Sequence, residues 1–229
     1  MKDQRVLIIA AHPDDEVLGV GGTISKYTAK GAKVKVLIVT DGSTSQYRDD
    51  PQLNQIIAAK KAQTQKAADI LGVSEVIYGG LPDMKLDTVA HIEVNAVIEK
   101  VIDEFCPDVV FTHFYGDANK DHRCVHESTV VACRPTPDQC VKELYSYFVP
   151  SSTDWNVQNQ NTAFMPTAFV DISGKCADKK YQAMAAYEAE LRAYPHPRSV
   201  EAIQIFDKAN GAHIGVQAAE CFVVHRLMK

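Results

Sequence analysis

Long hydrophobic runs are missing from this sequence. The longest near its start, Val6 to Ala11, has six apolar residues and runs straight into His12 and two aspartates. That falls far short of the roughly 20 residues that cross a bilayer and the roughly 7–15 of a secretory core, so neither a membrane span nor an export signal is expected. Positive charge is neither in excess nor clustered. Lys and Arg number 24 against 29 Asp and Glu, a formal net charge of -5, which argues against nucleic acid and for a small, neutral or weakly charged partner. The six cysteines (Cys106, Cys124, Cys133, Cys140, Cys176, Cys221) contain no CxxC pair, and 229 residues can bury a core without disulfide staples. They read as mostly reduced, buried thiols of a cytoplasmic protein. Repeats, heptads and low-complexity tracts are also absent, leaving a single domain over residues 1–229 as the expected organisation.

What is present is an alternation of apolar, β-branched runs with segments of helix length. Arg5 to Ala11, Lys33 to Thr40, Glu75 to Tyr78 and Asp108 to Phe114 are continuously hydrophobic, the pattern of strands covered on both faces. Between them, Gly19 to Lys30, Asn54 to Leu71 (stopped by Gly72) and Thr88 to Phe105 (stopped by Pro107) have the lengths and stop signals of helices. The order βαβαβαβ predicts an α/β fold: a Rossmann-like, doubly wound, mostly parallel sheet with helices on both faces. Farther on, Glu143 to Val149, Ala168 to Ile172 and Ala219 to His225 read as strands. Lys175 to Leu191 and Val200 to Asn210 read as helices, the second ended by Gly211, and Ser151 to Asn161 as a polar surface loop.

In such sheets ligands sit beyond the carboxyl ends of the strands. His12-Pro13-Asp14-Asp15-Glu16 occupies that end of the first strand, and Thr112 to Arg123, with His113, Asp117, Asn119, Asp121 and His122, that of the fourth. His and Asp suit a divalent first-row metal, and a catalytic site needs three protein ligands, two from one loop and one from the other. Taken singly, Asp14 or Asp15 could instead cap the helix that follows, and His122 could merely start one.

Ala11 to Glu16 followed by Gly19, Gly21 and Gly22, then Asp117-x-Asn-x-Asp-His-Arg123, resembles the PIG-L/LmbE-type deacetylase family. Leu71-Gly72, Leu81-Pro82-Asp83, His196-Pro-Arg-Ser199 and Gly215 to Phe222 extend the likeness over nearly the whole chain. The resemblance implies a metal-dependent hydrolase that removes an N-acetyl group from an amino sugar or its conjugate. It implies His12, Asp15 and His122 as ligands of zinc, with iron, cobalt or nickel as other fits, and Asp14 as the base acting on the metal's water. It also implies substrate contacts by Asp83, a carboxylate for sugar hydroxyls, and Arg198, a guanidinium for a phosphate or carboxylate.

One position departs from the family pattern. Asn119 stands where many members have a histidine, and an amide can donate to an oxyanion but cannot transfer a proton. His196 is expected to supply that acid, ahead of His113 and His126. Glu220 fits either a buttress of the site or a salt bridge. The Gly-x-Gly-Gly run lacks the spacing of a nucleotide loop and points to close backbone packing. Two other readings stay open at this level: metal-dependent hydrolysis of another bond such as a phosphoester, and a non-catalytic Rossmann-type nucleotide-binding module. The sequence also leaves room for a homo-oligomer.

Overall fold

The structure, a computed structural model, describes residues 3–44 and 47–228; residues 1, 2, 45, 46 and 229 of the expected span lie outside it. Strands and helices follow as β1 (Arg5–Ala10), α1 (Asp15–Ala29), β2 (Lys33–Thr40), α2 (Leu53–Leu71), β3 (Glu75–Leu81), α3 (His91–Phe105), β4 (Val109–Thr112), α4 (Lys120–Ala132), β5 (Glu143–Tyr147), β6 (Ala168–Asp171), α5 (Lys175–Ala185), α6 (Val200–Ile214) and β7 (Ala219–Leu227). They form one sheet of order β3-β2-β1-β4-β5-β7-β6. It is parallel from β3 to β5, and β7 runs antiparallel to both neighbours.

The continuous hydrophobicity of β1 has a direct cause. Val6, Ile8 and Ala10 face a core with α1, α2 and α5, whereas Leu7, Ile9 and Ala11 face a second core with α3 and α4. A strand alternates its side chains between two faces, so one covered on both sides has no polar position to spare. From β1 the chain winds outward to β2 and β3, then returns to pair β4 with β1, Val6 opposite Val109. That reversal opens a crevice between the loops after β1 and β4.

The glycines of α1 explain how it lies so close to the sheet and to α5. A Cβ on Gly19 would come within 2.3 Å of the Tyr147 ring, one on Gly21 within 3.0 Å of Lys180, and one on Gly22 within 2.7 Å of Ile172. All three lie inside α1 rather than in a phosphate-cradling loop, as close packing requires. Glu220 helps hold this helix: its carboxylate accepts from the amides of Gly22 (2.9 Å) and Thr23 (2.7 Å) and pairs with buried Lys180 (2.9 Å).

Some boundaries differ from expectation. α1 begins at Asp15, and a turn at Leu86–Thr88 precedes α3. α6 passes through Gly211 and stops at Gly215, whose φ of 74° suits a helix end. α5 ends at Ala185, not Leu191, because i to i+3 turns replace its ladder while Tyr187 bonds Glu16 and Glu190 bonds Lys60. None of the six cysteines is in a disulfide, but only Cys133 and Cys221 are buried. Among the described residues no helix is long and apolar enough to cross a membrane.

Tyr147 cannot yield to a new methyl group easily, since its hydroxyl donates to the Ile9 carbonyl at 2.9 Å. Gly19→Ala is therefore expected to destabilise the fold by about 1–3 kcal/mol, seen as a lower urea midpoint with unchanged slope.

Candidate metal centre

The loop after β1 owes its shape to Asp14. Its backbone has φ 104° and ψ -28°, a left-handed conformation that a non-glycine residue enters at a cost. The Asp14 amide donates to Glu16 Oε2 (3.1 Å), whose other oxygen accepts from the Tyr187 hydroxyl (2.5 Å). Burial lifts Glu16 to about 7. Asp14 occupies the N-cap position of α1, yet its carboxylate makes no capping bond, so the capping reading fails for this residue. The turn instead sends the two carboxylates apart. Asp15 Oδ2 folds back to accept from the His12 amide at 2.9 Å, whereas Asp14 opens into a cavity of ≈ 430 Å³.

Three donor atoms from two loops converge beside that cavity. His122 Nε2 lies 3.3 Å from His12 Nδ1, Asp15 Oδ2 lies 3.3 Å from His122 Nε2, and His12 Nδ1 lies 3.4 Å from Asp15 Oδ2. Ligands about 2.0–2.1 Å from a tetrahedral ion stand about 3.3–3.4 Å from one another, so the triangle has the size a divalent ion requires. Two imidazole nitrogens facing each other with a carboxylate oxygen also have no better shared partner than a cation.

Each histidine is fixed from behind by a carboxylate. His12 Nε2 meets Asp121 Oδ2 at 3.1 Å and Asp83 Oδ1 at 3.4 Å, and His122 Nδ1 meets Asp117 Oδ2 at 3.1 Å. Such outer carboxylates set the tautomer and raise the basicity of a ligand ring. His12, Asp83 and Asp121 form a second acidic grouping, but it uses the opposite nitrogen of His12, and Asp121 Oδ1 also accepts from the Leu86 amide (3.0 Å). It therefore serves as the shell of the first.

Electrostatics follow this arrangement. Burial opposes charge on both rings, but Asp121 and Asp15 raise His12 to about 10, and Asp15 and Asp117 raise His122 to about 9. Burial would lift Asp117, yet His122 and the hydroxyls of Ser152 and Thr153 hold it near 2. Burial likewise favours the neutral form of Asp15, but the charge of His122 keeps it well below the ordinary range. Burial and the neighbouring Asp15 push Asp14 up, against Arg198.

The remaining predicted residues are distributed unevenly. Asp83, Asn119 and Arg198 line the cavity. Asn119 caps α4, its Oδ1 accepting from the Asp121 amide at 2.9 Å, which leaves its Nδ2 as a donor. His196 is not among the lining residues: its Nδ1 accepts from the Arg198 amide (3.1 Å) and its ring meets Trp155 edge-on. His113 is fully buried, accepts from the Ala11 amide at 2.8 Å and stays neutral, burial and His122 lowering it to about 4. His126 bonds the His113 carbonyl. Neither histidine reaches the cavity.

Asp117, Asp121, Lys60 and Glu190 also stand around the site, without a role expected of them from the sequence. For the two aspartates the signal was their closeness to His122 in one loop. Lys60 carried another, because it lies on the same buried stripe of α2 as Thr64, Ala67 and Leu71. Glu190, in a turn, had none.

A sequence profile described as PIG-L: GlcNAc-PI de-N-acetylase matches residues 7–133, which contain all three donors. A curated Escherichia coli protein, "Uncharacterized deacetylase YaiS", is 27% identical over 82% of this chain and 92% of its own. A "Probable N-acetyl-alpha-D-glucosaminyl L-malate deacetylase 2" of Bacillus anthracis is 29% identical over 64% of this chain and 67% of its own. The solved N,N'-diacetylchitobiose deacetylase of Pyrococcus horikoshii shares the fold, with a TM-score of 0.78 at 21% identity over 97% of this chain and 84% of that one.

Elemental analysis of protein purified without chelator should find about one divalent ion per chain, lost in Asp15→Ala. Asp117→Asn should keep the ligands but weaken metal affinity about 10–100-fold in a chelator titration.

Proposed function

The chain belongs to the PIG-L family of GlcNAc-PI de-N-acetylases, and from that membership we propose that it hydrolyses the N-acetyl group of an amino sugar or amino-sugar conjugate. The observation that carries the reading is the triangle of His12, Asp15 and His122 with the uncapped Asp14 carboxylate opening into the same cavity. His12 Nδ1, Asp15 Oδ2 and His122 Nε2 would hold the ion, and zinc is the proposed metal because two imidazoles and one carboxylate are a common catalytic set for it. A divalent metal there supplies Lewis acidity, polarising the amide carbonyl and bringing the pKa of a water to about 7.

The chain's own residues do the rest. Asp14 accepts the proton of the attacking water, and the same carboxylate can deliver it toward the departing amine. Asn119, its oxygen engaged in the cap, has only its NH2 group to offer and donates to the carbonyl oxygen as negative charge develops there. His196 is proposed to assist departure of the amine. It lies in the loop that carries Arg198 and would reach the substrate by turning from Trp155, since acid and base contacts often tighten only once substrate is bound. Asp83 accepts from sugar hydroxyls, and Arg198 donates to sugar oxygens. A cytoplasmic setting suits the six free thiols.

Acetate release from N-acetylated sugars by the metal-loaded protein tests the reading, and release of phosphate without acetate from a sugar phosphate would refute it. Asp14→Asn should retain the metal and lower kcat about 10²–10⁴-fold, because it removes the base and spares the ligands. His196→Ala should lower kcat about 10-fold or more at unchanged metal content; wild-type kcat in this variant would leave the proton to Asp14 alone.

A further inference from the structure

We infer that Glu190 restricts this site to uncharged amino-sugar conjugates by occupying the two cations that a substrate anion would need. The inference rests on the proposed hydrolysis for the identity of the substrate, but not for its charge. Among the described residues, Lys60 and Arg198 are the only lysine and arginine lining the cavity. Lys60 Nζ lies 2.9 Å from Glu190 Oε1 and donates to the Gly42 carbonyl at 2.7 Å. Arg198 Nη1 lies 3.1 Å from Glu190 Oε2 and 3.4 Å from Asp14 Oδ2.

Glu190 thus gives one oxygen to each cation, and its side chain is only 13% exposed. A phosphate or carboxylate approaching either cation would meet a fixed carboxylate already there. It could bind only by displacing Glu190, which would then remain buried without its partners. Discrimination of this kind works by repulsion, not by added contacts. Asp83, which also lines the cavity, offers no relief, since it is another carboxylate. Neutral hydroxyls face no such penalty: they can donate to Asp83 or Glu190 and accept from Arg198 without disturbing the pairing. The guanidinium expected to take a phosphate or carboxylate is therefore reserved for neutral oxygens.

Calorimetric titration of metal-loaded protein with two ligands differing in charge, the methyl glycoside of N-acetylglucosamine and N-acetylglucosamine 1-phosphate, tests this without requiring turnover. Wild type should bind the neutral glycoside at least about 10-fold more tightly. Glu190→Gln should shift the ratio toward the phosphate by about 10-fold or more with metal content retained, and with a lower Tm because Lys60 and Arg198 lose their shared carboxylate. Glu190→Asp, which keeps the charge, should continue to exclude the phosphate. Equal or tighter binding of the phosphate by wild type would overturn the inference, even if Glu190→Gln did not fold, and so would an unchanged ratio in a folded Glu190→Gln. Acetate release, measured alongside, reports on the hydrolysis itself, so the two ideas fail separately.

Discussion

Asp14 holds its backbone at φ 104° in the first turn after β1, and much of the site depends on that one residue. Two adjacent aspartates entering a helix would ordinarily share the work of capping it. Here the left-handed step turns Asp15 back against the His12 amide and leaves the Asp14 carboxylate with no capping bond to make. The conformation persists because Glu16 grips the Asp14 amide and Tyr187 grips Glu16, a chain of buried contacts that over-determines the strained residue. α5 ends early for a related reason: a helix continued to Leu191 would replace the turns through which Tyr187 and Glu190 make these contacts.

The sheet order does the second part of the positioning. Because β4 returns to pair with β1, His122 arrives opposite His12 across 110 positions of sequence. The cavity beside them is dominated by acid: Asp14, Asp15, Asp83 and Glu190 line it against Lys60 and Arg198. A divalent cation would bring those formal charges into balance. The same outer carboxylates that raise the ring pKa values are the groups that would orient the rings toward an ion, so the preference for a proton and for a metal has one physical origin.

Much of this was legible in the sequence. Strands buried on both faces betray themselves by continuous hydrophobicity, and ligand-rich loops at strand ends follow from the strand order. The glycines of α1 were readable as packing because their spacing suited no phosphate loop. What stayed hidden depended on tertiary pairing. No local pattern says that Glu190 faces both Lys60 and Arg198, that Asn119 spends its oxygen on a helix cap, or that Gly211 continues a helix while Gly215 ends it. His196 illustrates the same limit, since its place in the chain gave no hint that its ring rests on Trp155.

The bond from Glu220 to the amides of Gly22 and Thr23 spans 198 and 197 positions. All three metal-ligand candidates have been synthesised once residue 122 is made, yet the helix leading out of the first loop is braced by β7, made almost a hundred residues later. Contacts of such separation form late, after the chain entropy between them has been overcome. A growing chain therefore carries all three candidate donors well before β7 exists to brace the helix that leads out of their first loop.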